Sequence, residues 1–360
     1  MLRERRIIMK LILLGDCHLG ARQNSQIIAN HQIKLFDQLI DYCKDNDIKT
    51  IIQLGDVYDQ RKAINVKTLK LAYELFDRFE EGGIDFHTLI GNHDVFYKDT
   101  IEVTSSSLLL RSYNHVHVYD KPTKLQFGSL NFDIIPWICD DNRELCLDTI
   151  KNSTSDICCG HFEINQFPIR YQTNFEGGLA REQFKHYKHV FSGHFHQTSE
   201  KDNITYVGTP YQLTWSDALS TNGFWVLDTE TLEYQHVINN DKYFRYLHYN
   251  DSVPGITTKI SKLDLKDTFI KILVEKKTKP LLYERFVTRI FDNNPADVKI
   301  IDQELQVDEE SNVNVDLKTM NTFDIINNYI DNCSLTNKQE LKNLMFSLYN
   351  ESLDQTQLGV

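Results

Sequence analysis

Short, mostly apolar runs closed by a glycine recur along the first two thirds of the chain. Residues 10–14, 50–54, 86–90, 156–159 and 189–192 each read as a buried strand, because apolar residues fill consecutive positions. Between them the period changes to that of a helix. Residues 26–45 put Ile33, Phe36, Leu39, Ile40 and Cys43 on one face, and residues 66–81 do the same with Leu69, Ala72, Leu75, Phe76 and Phe79. Strands alternating with amphipathic helices predict an α/β fold. Residues 203–207, 223–227 and 233–238 read as antiparallel strands that close the sheet.

The pattern changes near residue 245. All 13 histidines lie at or before His248, and Gly359 is the only glycine after Gly255. A strand-helix-strand unit over 268–275, 281–290 and 296–301 predicts a small second α/β domain. Residues 306–320 are acidic and polar, with the composition of a linker. Beyond them, Phe323, Ile326, Tyr329 and Ile330 form one apolar helical stripe, and Leu341, Leu344, Met345, Leu348 and Tyr349 form a second. The expected domains are therefore 1–245, 246–305, a linker at 306–320 and helices at 321–360.

Composition narrows the class. A chain of 360 residues with 41% hydrophobic content has room for one large core and something smaller. No apolar stretch approaches the roughly 18 residues of a membrane span, and the basic leader runs into a strand, so no signal peptide is expected. The 7 cysteines are odd in number and form no Cys-x-x-Cys pair, which fits a reducing cytoplasm.

Candidate chemistry sits at the ends of the apolar runs. Gly15-Asp16-Cys17-His18, Gly55-Asp56-Val57-Tyr58-Asp59, Gly91-Asn92-His93-Asp94, Gly160-His161 and Gly193-His194-Phe195-His196 each follow one run. Ligands of open α/β sheets bind beyond the carboxyl ends of the strands, so five such loops are expected to meet in one crevice. Asp16, His18, Asp56, Asn92, His161, His194 and His196 are too many donors for one ion and enough for two divalent ions sharing Asp56. Oxygen and nitrogen donors without thiolate suit Mn, Fe or Zn. A pair of such ions is a known clamp for displacement at phosphorus. Taken alone, each Gly-Asp reads more simply as a turn; five strings in this order do not. His115 and His117 lack a strand-end glycine and read as exposed strand histidines.

These five strings resemble those of the calcineurin-like metallophosphoesterase superfamily, and most of all its double-strand-break repair nuclease subunits in their bacteriophage recombination form. Gly55 through Ile64, Tyr119-Asp120-Lys121-Pro122-Thr123, Ile134-Ile135-Pro136-Trp137 and Gly208-Thr209-Pro210 extend the resemblance over nearly the whole chain from Met9. The resemblance implies a two-sheet α/β sandwich with a small capping domain. It implies a Mn²⁺-dependent 3′-to-5′ exonuclease and endonuclease acting on DNA ends and single strands, a homodimer, and an SMC-like coiled-coil ATPase partner bound by the C-terminal helices. By similarity, one ion is held by Asp16, His18, Asp56 and His196, and the other by Asp56, Asn92, His161 and His194. His93 is then the catalytic histidine, and Asp94 is expected to orient its ring. Asp59 is expected to support the ligands, and Cys17 to point away from them.

The formal charge of −12 runs against DNA binding, which usually uses a basic patch. The resemblance assigns much of the grip to the ATPase partner. Phe167, Tyr171 and Phe175, in the segment after His161, either stack on an unpaired base or cluster among themselves. A phosphoprotein phosphatase or small-molecule phosphodiesterase is the alternative activity. A non-catalytic scaffold predicts missing ligands, and none is missing.

Overall fold

In the strand Lys10–Leu14, Leu11 and Leu13 enter one apolar cluster while Ile12 and Leu14 enter another. Side chains alternate across a strand, so both faces of this one are buried. A computed structural model of the chain describes residues 9–170, 173–302 and 338. Its strands begin with β1 (Lys10–Leu14), β2 (Thr50–Gln53), β3 (Asp85–Leu89), β4 (Val116–Tyr119), β5 (Thr123–Phe127), β6 (Leu130–Ile135), β7 (Ile157–His161), β8 (Pro168–Arg170) and β9 (Thr173–Asn174). They continue with β10 (His189–Gly193), β11 (Ser199–Lys201), β12 (Ile204–Tyr206), β13 (Gly223–Asp228), β14 (Tyr234–Ile238), β15 (Phe244–Asn250), β16 (Phe269–Lys276) and β17 (Asp297–Asp302).

Two six-stranded mixed sheets form, in the orders β14-β13-β1-β2-β3-β4 and β11-β12-β10-β7-β6-β5. Leu11, Leu13, Ile52 and Leu89 of the first pack against Phe132, Ile134, Ile157 and Phe191 of the second. The helices Gln26–Asp45 and Val66–Glu81 cover the outer face of the first sheet through Phe36, Leu39, Phe76 and Phe79. The helix Arg143–Lys151 covers the second through Cys146 and Ile150. The result is a four-layer sandwich whose parallel strands run β1-β2-β3-β4 and β6-β7-β10-β12.

A third sheet, β15-β16-β17, packs with the helices Ile256–Ile260 and Pro280–Phe291 around its own core of Leu247, Tyr249, Ile270, Ile272, Phe286 and Ile290. Among the described residues no helix is long and apolar enough to cross a membrane. The linker at 306–320 and the C-terminal helical stripes lie outside the described residues.

Three local expectations are corrected. β12 is parallel to β10 rather than antiparallel, because the three-residue strand β11 and a hairpin reverse the chain first. Ile33 is 37% exposed, at the rim of its helix face. His115 is buried beside Tyr113, and His117 is half-buried with its ring stacked 4.5 Å from His87, so neither is an exposed strand histidine.

Candidate metal centre

The loops after β1, β2, β3 and β7, with the end of β10, converge at one edge of the sandwich. Close approach requires the glycines: at Gly55, with φ +93°, a Cβ would stand 2.6 Å from His161 Nδ1. Asp56, His18 and His194 themselves adopt positive φ, of 58°, 43° and 84°. Such left-handed conformations are disfavoured for residues with a Cβ and gather where the surrounding structure fixes a site.

Two donor groups result. Asp16 Oδ2 lies 3.9 Å from His18 Nε2 and 3.8 Å from His196 Nε2. Asp56 Oδ2 lies 3.7 Å from His18 Nε2 and 3.4 Å from His161 Nε2, so one carboxylate faces both groups. The Asn92 Oδ1 atom is 2.9 Å from both His161 Nε2 and His194 Nδ1. His161 Nδ1 donates to the Leu54 carbonyl at 2.6 Å, which leaves Nε2 to face Asp56 and Asn92. All seven residues proposed from the sequence as metal donors therefore meet.

The donor set fits divalent cations. Neither ring nitrogen of the buried His18 makes a well-formed hydrogen bond; the carboxylates of Asp59, Asp56 and Asp16 stand 3.4, 3.7 and 3.9 Å from them, a spacing that suits donors arranged around a cation. Burial pushes Asp56 up, but His161 and His18 outweigh it and hold this carboxylate well below the usual range. Burial pushes the His18 imidazole down, yet the Asp59, Asp56 and Asp16 carboxylates bring it up to about 8. Asp56 and Asp16 likewise bring His161 to about 9 against its burial. His196 goes the other way, to about 3, because burial and the neighbouring His18 outweigh the Asp56 carboxylate. Carboxylates that draw protons onto nearby imidazoles will also draw metal cations, with the imidazoles neutral as ligands.

His93 stands beside the two groups and shares a third cluster of potential donors with His18 and Asp59. Its backbone N–H donates to Asp56 Oδ1 at 2.7 Å, and its ring Nδ1 meets the Asp59 carbonyl at 2.6 Å. The expected role of Asp94 as the residue that orients this ring is corrected. Its carboxylate accepts instead from the backbone amides of Asp56 at 2.9 Å, Gly91 at 2.8 Å and Val57 at 3.2 Å, and from the Ser106 hydroxyl. Asp94 ties two loops together, and a backbone carbonyl does the orienting. The Asp59 side chain lies 3.4 Å from His18 Nδ1, and Cys17 turns into the helix-side core.

Two further residues line the centre. Glu163 Oε1 is 3.3 Å from His194 Nε2, and the Trp137 ring lies 5.2 Å from that of His194. Glu163 is two positions after His161, and Trp137 follows β6, so the strand-end rule applied to every loop would have found both. Phe167 is buried against Tyr206, and Phe175 packs on Phe195, so these two belong to a local cluster; Tyr171 lies outside the described residues.

The sequence profile of the calcineurin-like phosphoesterase family matches residues 9–198. Exonuclease subunit 1 of Enterobacteria phage T4 is 38% identical over 308 residues, covering 85% of this chain and 89% of that protein. The DNA double-strand break repair protein Mre11 of Nanoarchaeum equitans is 19% identical over 241 residues, 60% of this chain and 63% of the relative. The Mre11 of Sulfolobus acidocaldarius is 33% identical over 87 residues, 24% of this chain and 22% of the relative. With such matches beside a strand-end site rich in metal donors, the chain belongs to the calcineurin-like phosphoesterase family, metal-dependent hydrolases of phosphate esters.

Proposed function

We propose that this chain is a two-metal DNA nuclease that hydrolyses phosphodiesters at DNA ends, with 3′-to-5′ exonuclease and endonuclease action in recombination and repair. The observation that carries the reading is Asp56, one carboxylate facing both donor groups, in a chain 38% identical to a phage exonuclease subunit. Asp16, His18, Asp56 and His196 would hold one ion, and Asp56, Asn92, His161 and His194 the other. Mn²⁺ suits donors of this kind. When bound, the pair supplies Lewis-acid polarisation of the phosphoryl group and a nucleophile active near neutral pH.

The remaining chemistry falls to the chain's own residues. The Asp59 carbonyl keeps a proton on His93 Nδ1, which leaves Nε2 to exchange a proton with the departing oxygen. The bond from the His93 amide to Asp56 fixes this backbone beside the shared carboxylate.

Duplex ends and single strands are the proposed substrates, and a coiled-coil SMC-like ATPase is the proposed partner of residues 321–360. A groove between the helices Gln26–Asp45 and Val66–Glu81, lined by Ile33, Leu71 and Leu75, supports a homodimer through these helices. The six buried free thiols among the described residues suit a reducing cytoplasm, such as that of a bacterial host.

The deciding experiment supplies Mn²⁺ and compares a blunt DNA duplex with a phosphopeptide. Release of nucleotides from the duplex ends is expected. Phosphate release from the peptide without DNA cleavage would replace the reading with a phosphatase.

A further inference from the structure

A groove of about 590 Å³ opens directly beside the candidate metal loops, bounded by Gln197, Thr198, Trp215, Leu219, Thr221 and Tyr246. Its volume falls within the roughly 300–1,000 Å³ of ligand pockets. Among the described residues no acidic side chain lines it. Gln197 immediately follows His196, so one wall continues the metal loop. Leu219 is 76% exposed at its rim.

The groove lies on a strip in which cations and aromatic rings alternate. Lys271 Nζ sits 4.3 Å above the Trp215 ring and 5.6 Å from that of Tyr246. Beneath the surface, Trp215 packs edge-on against the buried Phe244 at 5.1 Å, and Phe244 stacks on the buried Phe269. Arg22 caps that pair at 5.2 and 4.9 Å, four residues after His18. The groove therefore adjoins the candidate metal loop at Gln197. Neither Arg22 nor Lys271 forms an ion pair with a carboxylate among the described residues. The register of β15 on β16 pairs Tyr246 with Lys271, so both stand on the same face of the third sheet, opposite its core of Leu247 and Ile270.

We propose that this strip is a binding site for single-stranded nucleic acid, with Trp215 and Tyr246 as base-stacking platforms and Lys271 and Arg22 as phosphate contacts. The proposal rests on the nuclease reading and adds the path of the strand. Unpaired bases expose the faces that aromatic rings stack upon, whereas a duplex hides them. A phosphate backbone needs cations, and Arg22 and Lys271 supply two beside the aromatic rings in a chain of formal charge −12. The charge objection to DNA binding is then met at this strip rather than by the surface as a whole.

The test is equilibrium binding of a fluorescein-labelled oligothymidylate to the full chain in EDTA, where no hydrolysis occurs. Trp215→Ala is expected to weaken binding about 5- to 150-fold, the loss of one stacked base, while Trp215→Phe retains most of it. Lys271→Gln should lower the slope of log affinity against log salt by about 0.7. Leu219→Glu alters only an exposed residue, so it places a carboxylate in the groove without burdening the fold, and it should also weaken binding. Affinities within about twofold of the wild type for both Trp215→Ala and Leu219→Glu would overturn the proposal, as would a blunt duplex competing as well as the single strand. Mn²⁺-dependent DNA cleavage by the wild type, alongside unaffected binding in the groove variants, would sink the strip and keep the nuclease. Groove-dependent strand binding without any cleavage would do the reverse.

Discussion

Asp94 Oδ2 accepts the backbone N–H of Asp56 at 2.9 Å, so the residue that faces both donor groups is held by the main chain. Asp94 also accepts from Gly91 and Val57, and it is fully buried. Asp94→Ala would leave three amides without their acceptor, at about 1–3 kcal/mol for each one left unsatisfied. We expect a loss of at least about 3 kcal/mol in urea unfolding with EDTA present. A loss below about 1 kcal/mol would show that water replaces the carboxylate and that the loops do not depend on it.

His93→Asn should keep metal and DNA binding and lower the cleavage rate by about 10²- to 10⁴-fold, the range of general acid–base catalysis. The assignment depends on a ring held by the Asp59 carbonyl beside the donor groups rather than within the Asp56–His161–Asn92 set. Calorimetry that finds one Mn²⁺ lost in this variant would make His93 a ligand instead.

Asp56→Ala and Asn92→Ala separate a shared donor from a terminal one. Asp56 approaches His18 on one side and His161 on the other, whereas Asn92 meets only His161 and His194. Removal of Asp56 should abolish tight binding of both ions, and removal of Asn92 should chiefly weaken one. Equal residual stoichiometry in the two variants, by elemental analysis after titration, rules out sharing.

Two histidines far from the donor groups set an acid limit. Burial and the adjacent His117 hold His87 down to about 4, and burial alone holds His189 down to about 4. The unfolded chain protonates both below about 6.5, whereas the folded chain resists until about 4. Their stabilisation is therefore full above pH 6.5 and lost as pH falls toward 4, at about 1.4 kcal/mol per pH unit for each. His189→Gln should lower the slope of stability against pH by about 1.4 kcal/mol per unit when urea unfolding in EDTA is followed from pH 6.5 to 4.5. An unchanged slope would mean that His189 is protonated in the folded state.

Sequence periodicity alone located the helices over 26–45 and 66–81 and the strands whose ends carry the candidate donors. Strand and helix faces are written in near neighbours, at spacings of two and of three to four residues, and glycines mark where the chain turns. Which polar group meets which is a different matter. Asp94 follows His93 in sequence but binds a loop 38 positions earlier, while the Asp59 carbonyl, whose position no side-chain pattern encodes, takes the ring. Hydrogen-bond partners are chosen by three-dimensional proximity and by which amides the fold leaves unpaired. For the same reason Trp215, Tyr246 and Lys271 look like unrelated surface residues along the chain; only the pairing of β15 with β16 puts Tyr246 and Lys271 on one face, and only the tertiary fold brings the Trp215 ring beneath Lys271. The chain's own residues determined the layers and the ligand chemistry; the packing of distant loops decided the contacts through which they act.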